Sequence, residues 1–536
     1  MTGELRTSLI NGVIIFLLLS IFSVYAFIHL DDIGPYYSER YFGGIYDPIW
    51  VLGATEVNGE IQLLFNNPRD GPSPTTVQKS LGPFSFVARN LPPLLFLKIQ
   101  EREFPIFSYE YIVALHFYLQ RLFIALFGHN LTVYRIPSVF AMGVFLLLFF
   151  SLGRRWFGDR QALISCVGMS FSPFLLLIFI GAGDNLNSLL LLSFFILLIS
   201  SLHSTKKWGA IFWGSLLLLV HLLLGTLCLL SSLLAGYFAW KIEKRKVLSI
   251  FFLSFSLTTP LFLVQLWMGK PFTFARTFWM LLGLIQGNPA GPLYNLVQVL
   301  LEAGKMLVLF SPSAFLGLIF AFKDFSRDPW ARFTIWFMGI YLFLLGIASG
   351  VEQGYFSLHF HHFFYILPFL FLQVGKILDV KRLGVFLKIL FVGLLGFQVI
   401  FLETATKIYV KQPTNPLHPL SVQEDLVRFL IEHRIYTPLN LAGPAGIEAL
   451  SRGKITPIDI HILPHSIPRE MFVKIFHSWR GRYLITIDKT YLYKPFSHNE
   501  LEQIAHEANV KLYQIATFPD GISPVFRVFL LDKPSP

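Results

Sequence analysis

Uncharged runs long enough to cross a hydrocarbon core recur along this chain, and short basic connections punctuate them. Leu9–Ile28 is the first. Others occupy Leu131–Gly153, Ala162–Gly183, Asn185–Leu202, Trp208–Trp240, Val247–Met268, Met306–Phe322, Phe333–Ser349, Phe360–Leu372 and Leu383–Leu402. A core ~30 Å thick is crossed by about 20 helical residues, and helices are required because lipid satisfies no backbone groups. Trp208–Trp240 is too long for one span, since a straight helix of that length would measure ~50 Å. Two helices turning near Gly225 and Thr226 are expected instead.

The connections "RRWFGDR", "STKKWG", "KIEKRK", "KDFSRDPWAR" and "KILDVKR" are basic, which assigns them to the cytoplasmic side. Counting from them gives about eleven spans, an inner N-terminus and an outer tail after Glu403. Leu9–Ile28 reads as a retained span, because no small-residue cleavage site follows it. Parity depends on "YEYIVALHFYLQRLFIALFG". Its Glu110, His116, Gln120 and Arg121 fall in one helical sector, with Leu115, Leu119, Leu122 and Leu126 opposite, as in a helix lying along the interface. Leu131–Gly153 then runs inward and Ala162–Gly183 outward, so Asp184 is expected on the same face as Asp31 and Asp32.

The first outer loop, 29–130, is rich in Pro, Gly and aromatic residues, including "NNPRDGPSPTT", and reads as turns, an exposed excursion and interfacial helices. Beyond Glu403 the composition becomes an ordinary mixture. Helix-like "SVQEDLVRFLIEHR" and "SHNELEQIAHEA" alternate with strand-like "YLITID" and "FRVFLL", and each helix opens on a capping-box pattern, Ser421 to Glu424 and Ser497 to Glu500. The expected fold is an α-helical polytopic membrane protein over 1–402 with a small extracytoplasmic α/β domain over 403–536.

Composition agrees with that reading: the mean hydropathy is +0.60 and only 14% of residues are charged. The formal net charge of +11 resides in clusters between apolar runs rather than along one face, so it marks topology and not a nucleic-acid partner. Cys166 and Cys228 lie deep in apolar segments and form neither a disulfide framework nor a zinc spacing. Walker and G-x-S-x-G patterns do not occur, which argues against nucleotide hydrolysis and a nucleophile elbow.

Asp31, Asp32 and Asp184 are the acidic candidates. Adjacent carboxylates repel, so a partly dehydrated site must raise the pKa of one or hold a cation. Arg89, Arg135, Lys270, Arg276 and Lys305 are basic residues near outer span ends, where they would either snorkel to the interface or together clamp a phosphate. In "LHFHH", His359, His361 and His362 do not share one helical face, which favours phosphate contact or packing over metal binding. His221, among leucines, reads as a core residue.

Several of these features resemble the membrane glycosyltransferases of the GT-C superfamily, specifically the group containing protein O-mannosyltransferases and the lipid A aminoarabinose transferase. They are "HLDD" after the first span, "NLPPLLF" late in the first loop, and "LFGHNLTVYRIPS" leading into "LGRRWFGDRQALISCVGMSFSPFLLLIFIGAGDN". The resemblance covers roughly Leu9–Leu202 and extends to the later spans in outline. It implies a polyprenyl-phosphate-linked sugar donor, transfer on the extracytoplasmic face to a lipid, glycan or protein acceptor, and inversion at the anomeric carbon. The leaving lipid phosphate is already a stable anion, so such a site needs a base for the acceptor and cations for the phosphate rather than a general acid.

By this resemblance Asp31 is the base, Asp32 orients the acceptor or a cation, and Asp184 matches the second-loop acid. Divalent Mg or Mn, if used, would sit between Asp31 and Asp184. The chain departs from the family pattern at two points. "RNLPP" replaces the Lys that aminoarabinose transferases place before the Pro-Pro pair, leaving Arg89 nearby. "FHHFFYILPFL" has no Arg before the Tyr, leaving His361 and His362 as phosphate partners. The location implied is a plasma or bacterial inner membrane. A lipid-linked-sugar flippase or secondary transporter is the rival class, although such proteins favour internal repeats and midplane acids.

Overall fold

The computed structural model describes residues 13–14, 17, 76–89, 95–99, 102–109, 112–113, 115–128, 130–172, 184–204, 207–224, 227–240, 243–268, 292–351, 363, 365–380, 384–411, 420–441, 447–455, 457–460, 469–478, 481–487, 497–519 and 525–533. Five strands come first: β1 (Thr76–Leu81), β2 (Phe84–Arg89), β3 (Leu95–Ile99), β4 (Arg102–Tyr109) and β5 (Ile112–Val113). They form an antiparallel meander in sequence order. This sheet was not anticipated in the first loop. The expected interfacial helix is described as α1 (Leu115–Phe127), which follows β4 and β5, and Glu110 lies outside the described residues.

The bundle comprises α2 (Leu131–Phe157), α3 (Asp159–Ser170), α4 (Asp184–Leu202), α5 (Lys207–Leu224), α6 (Leu227–Trp240), α7 (Lys244–Trp267), α8 (Pro292–Lys305), α9 (Pro312–Lys323), α10 (Pro329–Val351), α11 (Leu367–Val374) and α12 (Gly384–Lys411). α5 ends at Leu224 and α6 starts at Leu227, and the turn expected at Gly225 and Thr226 lies outside the described residues. Two other expectations need correction. Met306–Phe322 is not one continuous helix: a π-helical turn over Met306–Phe310 and Ser311 separate α8 from α9. Val299–Leu309 and Pro312–Lys323 are bent by 113°. A π-turn followed by Pro is a recognised cause of such a break. The run Phe360–Leu372 becomes the short helix α11, continued by a 3-10 turn over Gly375–Asp379.

Among the described residues, two helices are long and apolar enough to cross a bilayer, within α2 (Thr132–Phe157) and α12 (Gly384–Phe401); the bent pair reaches the criterion as one broken element. Most of Leu9–Ile28, and residues 173–183, 269–291 and 352–362, lie outside the described residues.

Aromatic packing fixes the centre. Phe195 of α4 stacks on Phe337 of α10 (5.4 Å between centroids), and Phe369 of α11 meets Phe333 and Phe337 edge-on at 5.1 Å. Each ring buries a large apolar area in a geometry its quadrupole favours. Gly317 lets α9 approach α11 so closely that an added Cβ would lie 1.9 Å from the Leu370 carbonyl oxygen.

The five basic connections meet at one end of this bundle. Arg155 donates to the carbonyls of Ser200 (3.0 Å) and His203, joining the α2–α3 turn to the end of α4. Lys246 donates to the Ser204 carbonyl at 2.7 Å, which brings the start of α7 to the same place. Lys376 pairs with Asp324 (3.1 Å) and Asp328, and Gln161 donates to Asp379, which ties the turn after α11 to the α9–α10 turn and to α3. Trp156 stacks on Trp330 at 3.3 Å, with His203 4.8 Å from Trp330.

After α12, which runs past Glu403 to Lys411, come α13 (Leu420–Glu432), β6 (Leu439–Leu441), α14 (Ile447–Leu450), β7 (Ile458–Ile460), α15 (Arg469–Ser478), β8 (Tyr483–Ile487), α16 (His498–Glu507), β9 (Lys511–Phe518) and β10 (Phe526–Asp532). They build a mixed sheet of order β7-β6-β8-β10-β9, parallel at β7-β6-β8 and antiparallel beyond. One core cluster includes Phe472, Ile475, Phe476, Leu501 and Ile504; a second includes Leu426, Leu430, Ile435 and Ile485. Ser497 and Glu500 form the expected reciprocal capping box. Ser421 does not sit at a cap, since α13 begins one residue earlier at Leu420.

Candidate active site

The end of the bundle opposite the basic connections carries the candidate residues that can be placed. Asp184 is the first residue of α4, whose other end adjoins His203 at the basic end. The helix has 19 residues and is therefore about 28 Å long, close to a hydrocarbon thickness. A carboxylate at the start of a helix is favoured by the helix dipole.

Arg135 lies one turn into α2, at the end away from Phe157, and is fully buried (0% exposed). A buried guanidinium inside an apolar bundle requires compensation by acceptors or an anion, and Arg135 is held by partners within the protein. The neighbouring backbone is held from α1: Gln120 donates to the Tyr134 carbonyl (3.0 Å), and Ile124 packs with Val133 and Tyr134. Asn130 caps α2 by accepting from Val133 N–H at 2.8 Å. Leu122 and Leu126, on the apolar side of α1, are exposed, whereas Gln120 faces the protein. Gln120 of the expected polar side thus packs against α2.

Lys305 ends α8, is exposed and pairs with Glu302 at 2.6 Å, so its charge is already engaged on its own helix. Arg89 is the last residue of β2. Asp31, Asp32, Lys270, Arg276, His361 and His362 lie outside the described residues, and the meeting of Asp31 with Asp184 remains a sequence-based expectation. Sequence reasoning missed the β-meander, although "KSLGPFSF" carries its signal: alternating apolar positions on both sides of a Gly-Pro turn.

The architecture is similar to that of solved membrane glycosyltransferases of the GT-C type. The family model for dolichyl-phosphate-mannose-protein mannosyltransferases matches residues 114–268. A crystal structure of ArnT from Cupriavidus metallidurans bound to undecaprenyl phosphate is similar over 97% of this chain and 98% of that one, with a TM-score of 0.58 at 12% identity. The same protein in the apo state gives 0.51 over the same shares, also at 12% identity. Arabinofuranosyltransferase AftD from Mycobacteria gives 0.50 at 10% identity, over 96% of this chain and 40% of that one. No curated protein sequence matches the chain.

Proposed function

We propose that this chain is an integral membrane glycosyltransferase that moves a sugar from a polyprenyl-phosphate carrier to an acceptor on the extracytoplasmic side, with inversion. The observation that carries the reading is the coincidence of two independent similarities. The mannosyltransferase family model falls on 114–268, which contains Arg135 and Asp184, and end-to-end fold similarity joins the chain to a structure holding undecaprenyl phosphate.

Asp31 is the base that takes the acceptor proton, with Asp32 beside it orienting the acceptor or a cation, and Asp184 completes the acidic site. Arg89, Arg135, Lys270, Arg276, Lys305, His361 and His362 are the candidate phosphate partners. If a divalent cation, Mg or Mn, is used, Asp31 and Asp184 are the residues that would hold it, and it would supply positive charge for the leaving phosphate. The basic end of the bundle faces the cytoplasm, which leaves Asp184 outside. Residues 403–536 form an extracytoplasmic α/β domain that covers the active face or helps choose the acceptor.

The test is purified protein in nanodiscs with a labelled polyprenyl-phosphate sugar. Release of the lipid phosphate with the label on an acceptor supports transfer. Label that crosses a vesicle membrane still joined to its lipid makes the chain a flippase instead.

A further inference from the structure

The register of the first-loop sheet sorts its residues onto two faces. Lys79 lies opposite Phe86, Phe86 opposite Leu97 and Leu97 opposite Phe104, so these four share a face. Two residues further along the strands, Leu81, its partner Phe84, and Ile99 lie on that same face. The other face holds Gln78, Ser80, Ser85 and Lys98 towards the turn edge, and the buried Val87 with its register partner Phe96 further along. The Ser80 and Ser85 hydroxyls are hydrogen-bonded at 2.8 Å.

The apolar face is only half covered. Phe86, Leu95 and Ile106 pack with Leu261, Val264 and Met268 at the end of α7. Phe86 meets the Trp267 ring edge-on (6.3 Å), while Lys79 donates to the Trp267 carbonyl and sits 5.5 Å from the ring centre. Beyond this anchor the face is bare: Leu81 is 62% exposed, Phe84 45%, Ile99 38% and Phe104 39%. Among the described residues these are the large exposed apolar side chains of the sheet, and all four lie on the anchored face. Because the strands meander, the β1–β2 and β3–β4 turns are at the same edge, and Leu81, Phe84 and Ile99 flank them.

Location identifies the occupant. α7 starts at the basic end, where Lys246 holds Ser204, and has 24 residues, about 36 Å. Its far end therefore emerges at the opposite surface of a ~30 Å core, and Trp267 is the residue type that favours that boundary. Leu263 and Leu266, next to the anchor, are exposed to the same surroundings. The bare half of the sheet face continues this lipid-facing surface.

We propose that the meander is a membrane-seated paddle, with Leu81, Phe84, Ile99 and Phe104 buried in the outer-leaflet interface and the Ser80–Ser85 face turned to water. This holds whether or not the chain is a transferase. In the full chain in nanodiscs, Leu81→Cys and Ile99→Cys carry an environment-sensitive nitrobenzoxadiazole label, and Ser80→Cys and Lys98→Cys report the opposite face. The unsubstituted chain sets the background from Cys166 and Cys228. Lipids with a shallow doxyl quencher are expected to dim the labels at 81 and 99 by roughly twofold and to leave those at 80 and 98 nearly unchanged, with aqueous iodide giving the reverse order. Equal quenching on both faces overturns the proposal. So does protection of the label at 81 from both quenchers, which would show a protein, such as a second copy, on this face.

Discussion

Gln398 on α12 accepts a hydrogen bond from Ser313 N–H at 2.9 Å while its own Nε2 donates to the Phe171 carbonyl at 3.0 Å. One amide thus serves a peptide group at the end of α3 and another in the first turn of α9, two helices that stop inside the bundle. Ser172 and Ser311 are hydrogen-bonded at the same junction, where all four polar residues are buried. Helix ends have orphan groups that lipid cannot satisfy, so an amide from a third helix takes the place of water. Gln398→Leu removes both bonds. It should lower stability by between about 1 and 4 kcal/mol, measured by denaturation in micelles against the exposed Lys388→Ala on the same helix.

Gly317→Ala should be far more damaging than its size suggests. The new Cβ would meet the Leu370 oxygen at 1.9 Å and its carbonyl carbon at 2.7 Å, and backbone cannot swing aside as a side chain can. Folded yield and melting temperature should both drop sharply. Gly339→Ala, with nothing within 4 Å of its added Cβ, should behave as the parent does.

The legible features were those set by local physics. Charge clusters indicated which turns share an end, and the chain brings "RRWFGDR", "STKKWG" and the other basic connections together through Arg155, Lys246 and Lys376. Hydropathy and length indicated the α5–α6 break. The illegible features depend on contacts between distant segments. The short helices α3, α9 and α11 look like spans in sequence because each lies in a longer apolar run, and only the Gln398 bridge and the Gly317 approach reveal the breaks. Periodicity in "KSLGPFSF" would have exposed the meander, but the Pro and Gly content of the surrounding loop masked it. Of the candidate site, Asp184 and Arg135 could be located at one end; their relation to Asp31 is a matter for experiment.

His203 should make the basic end sensitive to acid. Burial holds its imidazole below the usual histidine value; its hydrogen bond to the Ile199 carbonyl raises it, and the charges of Arg155 and Lys246 lower it further. The unfolded chain therefore binds more protons than the folded one between the lowered value and about 6.5, and stability rises with pH through that window. The contribution is complete above about 6.5 and is lost as pH falls through the lowered folded value. His203→Gln should flatten the melting-temperature profile in that range. A slope unchanged by the substitution would assign the acid sensitivity to other groups.

The acid site makes a sharper demand, because a base and a merely solvated helix end respond differently to loss of charge. Asp31→Asn keeps shape and polarity but cannot take a proton from the acceptor, so transfer should fall by about 10²-fold or more, with the loss in kcat rather than KM. Asp184→Asn at the start of α4 removes a charge that the helix dipole favours, and by itself that costs under about 1 kcal/mol of stability. A loss of activity greatly exceeding that effect, with melting temperature nearly unchanged, would place Asp184 in the chemistry. Activity close to the parent in both variants would leave the carboxylates as solvated span ends, and the search for a base would move to the acceptor itself or to residues 352–362.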